Sequence, residues 1–108
     1  MLDLIIKNGT CYIGDNLEKL DLGIQNGKIS HIGNLKEEKS KNTIDVTNKI
    51  VLPGLMDTQV HFREPGSVDA EDLHSGSRAA IVGGITSVFE MPNTDPPTST
   101  KIEFQKKL

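Results

Sequence analysis

Apolar and polar residues alternate along the first half of the chain with the period of half-buried strands. Residues 2–13 (LDLIIKNGTCYI) place two β-rich runs around Asn8-Gly9, a dipeptide that favours tight turns, and so predict a hairpin there. Residues 20–32 (LDLGIQNGKISHI) repeat the pattern around Asn26-Gly27, with Leu22, Ile24, Ile29 and Ile32 as the apolar positions. A third run, Thr43 to Leu52 (TIDVTNKIVL), alternates around Ile44 and Val46 and then turns apolar. The two hairpins share no fixed period, so they are not a repeat array. Everything up to about Val51 therefore predicts a small all-β module, with the sign-alternating stretch Lys36 to Lys41 (KEEKSK) as a solvated loop.

The pattern changes at Pro53-Gly54. Leu55 to Phe62 predicts a strand that leads into the loop Arg-Glu-Pro-Gly-Ser-Val. A helix is expected from about Asp69 to Val82, with Asp69 as N-cap, acidic residues in the first turn and Gly83-Gly84 as the stop. Leu73, Ala80 and Ile81 recur near helical spacing. Ile85 to Met91 (ITSVFEM) predicts a second strand, Pro92 to Pro97 a loop, and Ser99 or Thr100 the cap of a last helix. Strand, helix, strand, helix is the opening of a parallel α/β architecture. Two parallel strands cannot cover both faces of their sheet. The sequence is therefore expected to be truncated within a larger fold, with residues 1–51 as a β-rich module and 52–108 as an incomplete barrel start.

Composition narrows the function classes. Among 108 residues, 12 Lys and Arg stand against 15 Asp and Glu, giving a net charge of -3 and no basic face for nucleic acid. No apolar run approaches a membrane span, and Asp3 and Lys7 interrupt the apolar N-terminal residues too early for a signal peptide. The one cysteine, Cys11, excludes an internal disulfide and suits a cytoplasmic protein; its strand context predicts a small buried hydrophobe rather than a nucleophile.

Candidate chemistry gathers at two expected strand ends, Asp57 to Gly66 and Glu90 to Thr98, where barrel enzymes build their sites. Alternation puts positions 59 and 61 on one side of the first strand. Arg63, just beyond it, has the planar fork that clamps a carboxylate with two bonds. Asn93 brings a donor and an acceptor to the neighbouring strand end. An imidazole, a guanidinium and an amide together suit a small anionic substrate that contains an amide. Each residue also has a plainer reading: His61 as a hydrogen-bonded strand-end histidine, Asn93 as a turn former, Arg63 and Glu64 as a surface ion pair. Asp57 reads as a turn or backbone anchor, and His31 and His74 as structural or surface residues.

The segments LPGLMDTQVHFREPG and GSRAAIVGGITSVFEMPNTDPPT, with the preceding β-rich module, resemble dihydroorotases of the cyclic amidohydrolase branch. The sharpest markers are His-Phe-Arg-Glu-Pro-Gly at 61–66 and Met-Pro-Asn-Thr at 91–94; hydantoinases and allantoinases are similar up to the Asp57 region but do not usually carry both. The resemblance implies a TIM-like (β/α)8 metal-dependent hydrolase barrel that reversibly cyclises N-carbamoyl-L-aspartate to L-dihydroorotate in pyrimidine synthesis. It implies one or two zinc ions, a His-x-His pair as zinc ligands, and a metal-activated hydroxide attacking the ring amide. Carried over residue by residue, His61 is a metal ligand and substrate contact, and Arg63 and Asn93 are substrate contacts. The family's catalytic aspartate lies near the last barrel strand, outside this chain, so the chain alone is expected to be inactive. A homodimer or an aspartate carbamoyltransferase partner is also implied. The sequence departs from the pattern at Gln59, which stands where the first histidine of the pair is expected, and an amide oxygen is a poor zinc ligand. That leaves three readings open: a one-metal site built on His61, weak ligation by Gln59, or a catalytically silent subunit that supports a carbamoyltransferase. A different cyclic amidohydrolase, acting on hydantoins or allantoin, is the remaining alternative.

Overall fold

The computed structural model describes residues 1–108, which form two compact units, Met1–Pro53 and Gly54–Leu108. In the first unit, β1 (Leu2–Ile13), β2 (Asn16–Gln25), β3 (Lys28–Gly33) and β4 (Ser40–Asp45) lie in the order β3-β2-β1-β4, and β5 (Ile50–Val51) pairs with β1. The β1–β2 and β2–β3 pairs are antiparallel, while β4 and β5 run parallel to β1. Leu2, Ile5 and Leu35 form the small apolar core, and Cys11 is fully buried, with burial raising its thiol pKa. That is the inert, hydrophobic role expected of it.

The two Asn-Gly pairs do different things. Asn26 and Gly27 take φ of 52° and 71° and close the β2–β3 hairpin, as the primed turn they favour requires. Asn8-Gly9 is not a turn. The β1 strand runs through it, and the register slips by a residue between Ile6 and Gly9, which makes a β-bulge. Asn8 keeps the positive φ, 63°, and is tied on both sides. Its backbone N–H donates to Asp21 at 2.8 Å and its side chain to Asp45 at 3.0 Å. The first hairpin turns instead at Gly14-Asp15. The run expected over 43–52 is likewise split, because the chain turns at Thr47-Asn48, where Asn48 has φ 62°.

In the second unit, β6 (Leu55–Val60) and β7 (Ile85–Glu90) form a parallel pair joined through α1 (Leu73–Val82), and α2 (Lys101–Lys107) follows. This is the βαβ unit that the change of pattern at Pro53 predicts. The first helix begins later than expected. Asp72, not Asp69, is its N-cap: its carboxylate accepts from the Ser75 backbone at 2.6 Å, while the Ser75 hydroxyl lies 3.2 Å from the Asp72 backbone N–H. The acidic first turn is absent. Asp69 lies within a turn over residues 68–70, ahead of the helix, so the reciprocal Asp72-Ser75 capping box decides the start. Only Gly76 of α1 is buried; Ile81 is 69% exposed. Leu55, Met56 and Phe89 of the parallel pair are each more than half exposed. At the far end, Thr100 caps α2 by accepting from the Glu103 N–H at 3.2 Å.

The cap makes α1 sensitive to acid. The Ser75 hydroxyl and then its backbone N–H hold the Asp72 carboxyl below its ordinary range. A lowered folded-state pKa contributes stability above the unfolded value, and that stability is lost as pH falls through the folded value. Protection of the Ser75 amide against hydrogen exchange is therefore expected to be constant near neutrality and to fall below about pH 4. Asp72→Asn keeps a good cap without the titration and should remove that fall.

Candidate active site

The loops that follow β6 and β7 hold the expected site residues His61, Arg63 and Asn93, and the two loops are joined. Met91 N–H donates to Val60 O at 2.8 Å, which extends the pairing one step past the strands. His61 then leaves the sheet, and its Nδ1 lies 2.9 Å from Oδ1 of Asn93. Further along, the Asp95 N–H donates to Pro65 O at 3.0 Å. At the same crossing Gly66 takes φ 117°, and a Cβ placed on it would sit 2.7–2.8 Å from Asp95 Cβ and O. A residue with no side chain is what lets the loops pass.

Each loop is also braced internally. Thr94 is buried and its hydroxyl bridges Pro96 O at 3.0 Å and the Thr98 hydroxyl at 2.9 Å. The Thr98 N–H returns to Pro92 O at 3.0 Å. In the first loop Ser67 N–H donates to Arg63 O at 2.8 Å. The carboxylate of Glu64 accepts from the Leu73 N–H at 2.7 Å and so satisfies a free amide in the first turn of α1. Glu64-Pro65 and Asp95-Pro96 are both cis.

The expected site residues are not all brought together. His61 and Asn93 meet. Arg63 is exposed, and neither an ion pair nor a side-chain hydrogen bond engages its guanidinium. The Arg63–Glu64 surface pair is replaced by the Glu64–Leu73 bond. Gln59 is exposed on β6, and only its backbone is engaged, by Asp57 Oδ1 at 3.0 Å. This fits the anchoring role expected of Asp57. The strand ends at Val60, not Phe62, and its ladder is irregular between Asp57 and Val60. Regular β6 pairing therefore ends before His61. His31 and His74 are exposed, and the His31 ring hydrogen-bonds Ser30.

As donors for a metal, these residues fit one position of a site. His61 offers an imidazole with one nitrogen engaged by Asn93 and the other free. Gln59 offers a neutral amide, and no three His, Cys, Asp or Glu side chains gather anywhere in the chain. Sequence reasoning gave Glu64 a different partner and passed over Gly66 and Thr94. Their roles depend on partners nine residues away, across two loops, or within a proline-rich turn, and no local spacing rule reports such contacts.

The family description that matches residues 50–107 is the amidohydrolase family. A dihydroorotase of Carboxydothermus hydrogenoformans is 43% identical over 110 residues, covering 98% of this chain and 26% of that protein. An allantoinase of Salmonella choleraesuis is 44% identical over 101 residues, covering 94% of this chain and 22% of its own length. The L-hydantoinase (dihydropyrimidinase) structure from Arthrobacter aurescens superposes with a TM-score of 0.88 at 34% identity, over 99% of this chain and 24% of that one. The chain thus spans about a quarter of the proteins it resembles. Overall identity does not separate dihydroorotase from allantoinase.

The crossing at Gly66 is testable. Gly66→Ala combines a positive φ with a backbone clash and is expected to cost roughly 1–3 kcal/mol. It should also raise the exchange rate of the Asp95 amide. Gly83→Ala, at φ -78° with its nearest contacts at 3.4–3.5 Å, should leave both properties close to wild type.

Proposed function

The chain belongs to the amidohydrolase family, and from that premise we propose that it carries the first two strand ends of a dihydroorotase, which interconverts N-carbamoyl-L-aspartate and L-dihydroorotate. In this reading residues 1–51 are a β-rich module and residues 52–108 open a (β/α)8 barrel whose remaining units complete a cytoplasmic protein of family length. The relatives' fourfold greater length supports that reading, as do the open apolar side chains of β6 and β7.

The observation that carries the proposal is a free guanidinium two residues beyond a joined imidazole–amide pair. Arg63 has the fork for a carboxylate, and nothing in the chain consumes it. A carboxylate is present on both dihydroorotate and carbamoyl-aspartate, whereas a hydantoin ring has none for the arginine to read. Asn93 supplies amide N–H groups to the substrate, and His61 contributes a ligand to one or two zinc ions and a further contact. A metal bound there would polarise the ring carbonyl and lower the pKa of water. The work of this chain is to bind and orient the substrate, and its acid–base partner is supplied by a later barrel strand.

Gln59 supports a second reading, a silent dihydroorotase-like subunit that assists an aspartate carbamoyltransferase, because the chain holds one good metal ligand where the pattern asks for two.

Both readings are tested in a protein of family length. Arg63→Lys keeps the charge and loses the fork, so kcat/KM for dihydroorotate should fall about tenfold or more with folding unchanged. Unchanged kinetics would make Arg63 a surface residue. Gln59→His should raise the bound zinc, measured by elemental content, without guaranteeing faster turnover, since the groups around the ligand must orient it too. If neither form binds zinc or opens the dihydroorotate ring, the silent-subunit reading holds.

A further inference from the structure

The contact between His61 and Asn93 has a direction. An amide oxygen has only lone pairs to offer, so an imidazole nitrogen 2.9 Å from Asn93 Oδ1 must bring the proton. We infer that Asn93 is a positioning residue for His61: its side-chain oxygen holds the ring proton on Nδ1 and leaves Nε2 as the lone-pair nitrogen open to a cation. A free histidine side chain in water prefers the opposite tautomer, with the proton on Nε2. The bond therefore reverses the ordinary preference and selects the form that can ligate through Nε2.

The acceptor is well placed for this. Asn93 precedes Thr94, whose buried hydroxyl is bonded at both Pro96 and Thr98, and Asp95, whose amide is held by Pro65. The backbone that carries the amide is thus fixed on the same loop crossing that fixes His61. Little additional ordering is needed to make the bond, and this is the role that outer hydrogen-bond partners play for metal-ligating histidines. The Nδ2 group of Asn93 has no protein partner and keeps both N–H donors for an anion. One side chain then serves two ends of the site. Its oxygen orients the ligand ring and its nitrogen addresses the substrate. The inference rests on the proposed site for the use of Nε2; the tautomer itself requires neither metal nor substrate.

The test is a long-range proton–nitrogen correlation spectrum of the nitrogen-labelled chain at about pH 8.5, well above the ordinary imidazole pKa of about 6.5. His31→Gln and His74→Gln, both exposed and outside the site, leave His61 as the one imidazole observed. The expected pattern is Nδ1–H. It should revert to mainly Nε2–H in Asn93→Leu and persist in Asn93→Asp, whose carboxylate still accepts. An Nε2–H pattern with Asn93 in place, or an Nδ1–H pattern that survives in Asn93→Leu, overturns the inference. Where Asn93→Leu does not fold, loss of Nδ1–H in a folded Asn93→Asp chain overturns it as well. In a protein of family length the two substitutions should also split. Asn93→Leu weakens zinc binding by roughly 10–100-fold, while Asn93→Asp keeps the zinc and raises KM for the anionic substrate. Loss of turnover with the tautomer intact counts against the dihydroorotase reading alone, and a wrong tautomer counts against the positioning role alone.

Discussion

The loops after β6 and β7 are held together by two crossings, Asp95 N–H to Pro65 O and His61 to Asn93, and the candidate site exists because those crossings are made. A parallel strand pair brings its C-terminal ends side by side but does not dictate where the chain goes next. In this protein both loops turn toward each other. The approach is close enough that a methyl group at Gly66 would overlap Asp95. The surrounding polar contacts serve the same arrangement. Thr94 braces one loop from inside, and Glu64 anchors the other to the first turn of α1. The Arg-Glu-Pro-Gly segment therefore divides its labour. Glu64, Pro65 and Gly66 build the crossing, and Arg63 is left free of it.

Much of this organisation was legible in the residues, and the parts that were not share a cause. Asn26-Gly27 reads correctly as a hairpin because a two-residue turn is a local event, settled by which residues tolerate positive φ. Asn8-Gly9 carries the same local signal, yet Asp21 and Asp45 on neighbouring strands hold Asn8 inside a continuous β1, where its positive φ makes a bulge. Local preference gave the dihedral angle; tertiary partners decided its use. The start of α1 shows the complementary case. Asp69 and Asp72 both qualify as caps by residue type, and the hydroxyl of Ser75 selects Asp72 by completing a reciprocal pair. That signal was present at the spacing a capping box needs.

At the site, the paired loops could be placed from the strand order, and His61 with Asn93 could be named, but not their contact. Nothing in a sequence says that an amide 32 residues away will meet a histidine ring, or through which of its two polar atoms. The reading of Gln59 gained less from the structure. It remains an exposed amide near the end of β6, engaged only through its backbone. What the structure adds is that the rest of the site does not depend on it. The His61–Asn93 pair and the free Arg63 form without any contribution from position 59.

In the proposed function this pair of strand ends reads an anionic cyclic amide. The most direct measurement is the ratio of kcat/KM for dihydroorotate to that for uncharged rings, allantoin and hydantoin, in a zinc-loaded protein of family length. The expected result is a preference for dihydroorotate of at least about tenfold, the worth of a charge-assisted bond of about 1.5 kcal/mol or more, and a preference that shrinks toward unity in Arg63→Ala. Equal or faster turnover of allantoin or hydantoin, with Arg63→Ala without effect on the ratio, would contradict it.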